Sequence, residues 1–258
     1  GHAKALFNNG YAELLRNDLV AAMCGMDEAF ETLAADSPVN RAIGQQDRAE
    51  VLLASGRARE AAEALESAAA AYGAEKLRRL QAECELILAR TLDADEPARA
   101  KAVALQAARR FEAEKRDVWA ARARAMATVA DIEAGSKAPT TLRQADELTA
   151  VLRSAGYREE ADRLALHASR LSIRRGDIAD ASARIAKVRT TEYSPVTTRL
   201  LTREAATLAD AGVDPKVVHA KASLAKLFAS EAAWRCADRV VQVFGGPVYP
   251  YFLSRSVR

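Results

Sequence analysis

The chain has 258 residues, half of them hydrophobic but only 5% aromatic, and its 38 Lys and Arg exceed its 35 Asp and Glu by three. So weak a basic bias argues against a nucleic-acid binder, and no apolar run reaches the roughly 18 to 20 residues that span a bilayer. The first residues lack the basic-then-apolar order of a secretory signal, so the expected location is cytoplasmic.

Apolar and alanine positions recur at intervals of three and four, the spacing that gathers them on one face of a helix. This predicts helices over residues 3–16, 19–35, 47–55, 58–72, 75–92, 97–114, 118–134, 141–155, 158–175 and 178–188. The stretch Leu52 to Ala61 contains the turn Ser55-Gly56, where a residue tolerant of positive φ can end one helix before the next begins. Degraded copies of the turn stand at Asn17-Asp18, Asp93-Ala94, Ala134-Gly135, Arg175-Gly176 and Ala211-Gly212. Their spacing of roughly 36 to 41 residues is a little longer than the 34 of a tetratricopeptide unit. Pro97 suits the first turn of a helix, where a missing N–H is no loss. Asp36-Ser37-Pro38, residues 135–139 and residues 190–195 punctuate the array, and the last of these is the expected domain boundary.

Alanine is the strongest helix former and offers little bulk for one deep core, so the composition favours closely packed helix pairs. The expected fold is all-α, a right-handed superhelical stack of antiparallel helical hairpins over residues 1–195. Such an array presents an extended concave surface and is expected to bind a partner protein without catalysis. Cys24, Cys84 and Cys236 are far apart and form no Cys-x-x-Cys pair, so neither a disulfide framework nor a zinc site is indicated. They are expected to be buried or half-buried small apolar residues. His2, His167 and His219 are equally scattered, with no local support for a Cys-His dyad.

The spacing of small residues resembles the tetratricopeptide pattern. Ala49, Gly56, Ala61 and Ala68 fall at that family's small positions with Leu65 at its bulky one, as do Gly10, Ala22 and Ala29 with Met26. The Ala/Arg-rich texture of the first 195 residues also resembles the repeat regions of actinobacterial proteins that carry a caspase-like CHAT domain, which implies an accessory, partner-binding role. In tetratricopeptide folds the first helix of each hairpin lines the groove. Aligning hairpins on their turn glycines then puts Arg122, Arg163 and Arg199 at equivalent groove positions. Arg163, His167, Arg170 and Arg174 share one face of their helix by their offsets of four, three and four. Such a groove suits an acidic peptide or a C-terminal carboxylate, because guanidinium forks bind carboxylates bidentately. The alternative is a solvated face, with arginine stems covering alanines and heads in water.

From Val196 to Gly246 the texture changes. The run from Ala220 to Gly246 resembles the C-terminal helical domain of acyl-CoA dehydrogenases, and residues 198–206 and 212–216 resemble that family's preceding helix and turn. Read from patterning alone, 196–246 is one more hairpin, capping the array, with Phe228 and Trp234 as anchors and Gly245-Gly246 ending its second helix. The resemblance implies a flavin contact by Gln242, Gly245 and Gly246, whereas the tail 247–258 departs from the family pattern. No catalytic glutamate can be placed. The second functional reading is therefore a fragment or relative of an FAD-dependent acyl-CoA dehydrogenase. A third is a helical domain that senses a small ligand in a pocket between hairpins.

Overall fold

The computed structural model describes residues 2–16, 18–33, 37–92 and 95–188. They form ten helices: α1 (His2–Leu15), α2 (Leu19–Leu33), α3 (Pro38–Ala54), α4 (Ala58–Ala74), α5 (Arg78–Leu92), α6 (Pro97–Ala113), α7 (Asp117–Glu133), α8 (Pro139–Ser154), α9 (Arg158–Arg174) and α10 (Ile178–Ala186). There is no strand among the described residues. The chain divides into two compact units, Gly1–His167 and Ala168–Arg258. The expected boundary at 195, the cap at 196–246 and the tail lie outside the described residues.

The described helices are the expected all-α set, and within the first unit they pack as a stack of antiparallel hairpins. Its period follows from its helices. Helices α3, α5, α7 and α9 begin at Pro38, Arg78, Asp117 and Arg158, intervals of 40, 39 and 41 residues. Two helices of mostly 15 to 17 residues joined by short turns fill that interval. Compared with a 34-residue unit, each helix gains close to one turn.

Six of the ten helices, α3, α4 and α6 to α9, end in a common way. The Gly56 N–H donates to the Leu53 carbonyl at 3.1 Å and the Arg57 N–H to Leu52 at 2.9 Å, while Gly56 itself sits at φ 83°. This paired closure satisfies carbonyls that the helix leaves without partners, and it requires a left-handed residue at its centre. The same pair of bonds closes the helices before Leu77, Arg116, Ser136, Tyr157 and Asp177. At two of these turns the left-handed position is held by lysine, Lys76 and Lys115, each at φ 57°. Gly56 is exposed with nothing near where a Cβ would lie, so its value is conformational. It does not serve the close helix packing expected of it from the repeat pattern.

Packing in the first unit relies on alanine. Ala49, Ala61 and Ala68 are completely buried, and Leu65 and Tyr72 fill the space between them. In the first hairpin Ala22, Ala29 and Met26 are completely buried, with Gly10 buried beside them. Around α6 and α7 the same layout repeats, with Phe111 set among Ala104, Ala107, Ala108, Ala120 and Ala123. Each large side chain so enclosed contributes about 1.5–3 kcal/mol, and the alanines let it reach the neighbouring helix. Beyond chain neighbours, α1 packs on α3, α3 on α5, and α5 on α7. No pair of even-numbered helices packs as closely among the described residues. The odd-numbered helices are therefore the inner layer of this unit.

Two local expectations are corrected. Helix α3 starts at Pro38, nine residues before the expected 47, because Ser37 caps it by accepting from the Asn40 N–H at 3.1 Å and Pro38 occupies its first turn. Its first half carries few large apolar residues, and Gly44 accounts for that: the Phe30 and Phe7 rings come within 2.6 and 2.8 Å of where a Cβ would stand. Cys24 is exposed rather than buried. Cys84 does meet the expectation; its Sγ donates to the Leu65 carbonyl at 3.2 Å, and burial pushes its thiol up to about 12, so it is an inert core residue. Among the described residues no helix is long and apolar enough to cross a membrane.

Opposite glycine substitutions follow from these geometries. Lys76→Gly and Lys115→Gly should each stabilise the fold by about 1 kcal/mol by relieving a left-handed side chain. Gly44→Ala should cost about 1–3 kcal/mol by driving a methyl into two rings. Urea unfolding midpoints read both signs, and a destabilised Lys115→Gly protein would refute the turn assignment.

Candidate functional site

The inner layer of the first unit encloses a pocket of about 310 Å³, lined entirely from odd-numbered helices. Helix α1 supplies Tyr11, and α3 supplies Gln46 and Glu50. Helix α5 supplies Glu83, Leu86, Ile87 and Arg90, the middle of the floor. Helix α7 adds Trp119, Arg122 and Met126, and α9 adds Glu160 and Arg163. Three carboxylates and three guanidiniums share this surface, distributed by the order of the helices.

The α7 and α9 side is pre-assembled. Arg122 donates to both oxygens of Glu160, Nη2 to Oε1 at 2.6 Å and Nε to Oε2 at 2.9 Å. Its guanidinium carbon also lies 4.2 Å from the Trp119 ring centre and 4.5 Å from that of Tyr157. Arg116 approaches Trp119 as well, at 4.6 Å, and pairs with Glu83 at 2.8 Å. Two fixed cations thus lie against the Trp119 ring, each contact worth about 0.5–2 kcal/mol. Arg163 donates from Nη2 to the Met126 sulfur at 3.1 Å, half-buried at the edge of the same pocket.

The arginine face read from the sequence divides on inspection. Arg122 and Arg163 line the pocket together. His167 does not: it is buried, with Nδ1 at 2.7 Å from Glu133 Oε1, so its imidazole is engaged within the fold. Arg170 and Arg174 are half-buried on the part of α9 that belongs to the second unit. Arg199 and the flavin candidates Gln242, Gly245 and Gly246 lie outside the described residues. Tyr11, Gln46, Glu50, Glu83, Arg90, Trp119 and Glu160 escaped the sequence reading. The turn-glycine register that found Arg122 and Arg163 would have led to Glu83 had the Lys76 and Lys115 turns been recognised as equivalent punctuation. Among the described residues no group of three or more His, Cys, Asp or Glu is placed to hold a metal.

Comparison with known proteins adds two findings. The profile of the acyl-CoA dehydrogenase C-terminal domain matches residues 148–256, less than half of the chain, and the match begins inside α8 rather than near 196. Among solved structures, the apo form of RapI is similar with a TM-score of 0.70 at 12% identity, covering 90% of this chain and 84% of that one. A Rap protein complexed with competence and sporulation factor is similar with a TM-score of 0.64 at 15% identity, covering 97% and 72%. At such identities the likeness concerns the fold. No curated protein matches the chain in sequence.

The α3 side of the pocket carries carboxyls that hold their protons unusually well. Burial, reinforced by Glu50, pushes Asp47 up to about 7, and burial also raises Glu50 against the opposing pull of Arg90. Glu85, buried beneath Arg110, is raised in the same direction by desolvation. A carboxyl that binds its proton more tightly when folded stabilises the protein below its unfolded pKa near 4, and that contribution is lost as pH rises through the folded value. Stability should therefore fall between about pH 4 and pH 7, by on the order of 4 kcal/mol from Asp47. Asp47→Asn should flatten this slope. Denaturation midpoints at pH 5 and pH 8 measure it, and a wild-type protein more stable at pH 8 would contradict the assignment.

Proposed function

We propose that the protein is a non-catalytic interaction scaffold that binds a short partner peptide in the groove of its first unit. The observation that carries the reading is the pocket itself, built on five successive odd-numbered helices with Trp119 as an aromatic wall and charged side chains held at fixed positions. Immobilised side chains lose little entropy on binding, so such a surface can bind with few contacts. Extended grooves formed by stacked hairpins are suited to this use. The structural neighbour crystallised with competence and sporulation factor supports the reading by analogy of fold. An array of this kind would be the accessory, partner-binding part of a larger system, as the resemblance to CHAT-protein repeats implies.

The anticipated acidic partner becomes more specific. Arg163 lines the pocket at its α9 edge, on the groove register read from the sequence, and is the guanidinium we assign to a peptide carboxylate, either an acidic side chain or the C-terminus. A mixture of random hexapeptides, incubated with the full chain and read by affinity-selection mass spectrometry, tests this. Bound peptides should be enriched in carboxylates. Arg163→Ala should weaken them about tenfold, the loss of one charge-assisted hydrogen bond. Failure to retain any peptide would remove the groove as a peptide site.

A second reading rests on the match over residues 148–256: a relative of acyl-CoA dehydrogenases that binds FAD through Gln242, Gly245 and Gly246. Purified protein that is yellow, with flavin absorbance and FAD released on denaturation, would favour it. Colourless protein that takes up no added FAD would exclude it. Binding of a small hydrophobic molecule in the same groove, the third reading, would appear in native mass spectra as a co-purifying mass.

A further inference from the structure

The α7 and α9 side of the pocket holds a donor and an acceptor, fixed against each other, and neither is fully used. Arg122 commits Nε and Nη2 to Glu160. Its other terminal nitrogen, Nη1, hydrogen-bonds to none of the described residues and keeps accessible surface. The carboxylate on one edge, and the Trp119 and Tyr157 rings at 4.2 and 4.5 Å from the guanidinium carbon, hold the plane from which Nη1 is presented. On the partner, Glu160 Oε1 accepts two bonds but Oε2 accepts only one, from Nε at 2.9 Å. A carboxylate has room for about four. Glu160 stands in the first turn of α9, where the helix dipole favours its ionised form. Both residues line the pocket, with side chains 18% and 30% exposed.

The pair is neutral as a whole, and that decides what suits it. A carboxylate brought to Nη1 would stand beside the Glu160 charge, and an ammonium brought to Oε2 would stand beside the Arg122 charge, so each meets repulsion along with attraction. An apolar side chain would take water from both groups and return no bond. A carboxamide carries no charge, accepts at its oxygen and donates from its nitrogen, so it can meet Nη1 with one and Oε2 with the other. Peptide bonds recur along a peptide, and a grip on the main chain would recur from hairpin to hairpin. The register does not repeat this pair. The positions equivalent to Arg122 are Glu83 and Arg163, and the interval of 41 residues that separates Arg122 from Arg163 places Trp119 at the equivalent of Glu160. A donor and acceptor present at one step of the groove suit one side chain.

We infer that Arg122 and Glu160 form a carboxamide subsite, which takes the side chain of an asparagine or glutamine of the bound peptide beside Trp119. The subsite rests on the peptide-binding reading and adds a neutral polar position to the carboxylate assigned to Arg163.

Three synthetic hexapeptide mixtures, incubated with the full chain and read by affinity-selection mass spectrometry, test it. Every peptide carries one aspartate and a C-terminal carboxylate for Arg163. One further residue is Asn or Gln in the first mixture, Leu or Met in the second, and Asp or Glu in the third. Wild-type protein should retain the first over the second by about tenfold. Arg122→Lys keeps a positive charge opposite Glu160 but lacks the second terminal nitrogen, and should bring that ratio close to one. Glu160→Gln removes the repelling charge with little change of shape, and should shift retention from the first mixture toward the third by about tenfold. Circular dichroism accompanies both variants. Equal retention of the first and second mixtures by wild-type protein overturns the subsite while leaving peptide binding intact. A folded Glu160→Gln protein with the wild-type ratio of first to third also overturns it. No retention of any mixture overturns the peptide reading and the subsite with it.

Discussion

Close approach of helices through alanine is the constraint on which the other features depend. Ala49, Ala61 and Ala68, all without exposed surface, let α3 and α4 approach closely while Leu65 and Tyr72 anchor the contact. A large residue at any of these positions would push the hairpin apart. Because the contact recurs with each hairpin of about 40 residues, the odd-numbered helices accumulate on one side and touch each other there, α1 to α3, α3 to α5 and α5 to α7. The groove is a consequence of that convergence. Its lining residues belong to five helices distant in sequence, and they come together only because the repeat keeps register.

The side chains at the groove are held by interactions that span one repeat. Arg122 and Glu160 are 38 residues apart, and Arg116 and Glu83 are 33 apart. A pair of this kind fixes two charges and also ties neighbouring hairpins together. Exposed pairs contribute little, but these are half-buried and bracketed by aromatic rings, where a fork-shaped contact retains more of its strength. The contrast between this rigid side and the acceptor-rich α3 side gives the groove a polarity. Glu50 and Asp47 form no such pair, and burial, reinforced by the Glu50 charge, pushes Asp47 up to about 7.

Much of the architecture was legible because its determinants are local. Turn glycines at 56, 135 and 176 and the alanine spacing of the second hairpin were enough to place most helices. The turns at Lys76 and Lys115 were not signalled, since lysine has no preference for the left-handed region and is held there by the helix ends on either side. The early start of α3 was missed because the polar stretch after Pro38 carries a glycine, Gly44, whose purpose is visible only when Phe7 and Phe30 are seen against it. The site was less legible than the fold. Arg122 and Arg163 could be placed on the groove from register, but their partners could not, because Glu160 and Met126 are nearly a full repeat away. His167 looked like a surface residue by spacing, and only the packing of α9 shows that it is buried against Glu133.

The central claim is that the groove on the odd-numbered helices is the working surface, with Trp119 in its wall. The indole N–H signals of the two tryptophans, Trp119 and Trp234, test it in nitrogen-labelled protein, with Trp119→Phe giving the assignment. Titration with a hexapeptide shown to bind by mass spectrometry should move the Trp119 signal in a saturable way, with the same midpoint as binding. A Trp119 signal that stays in place while the peptide binds would contradict the account.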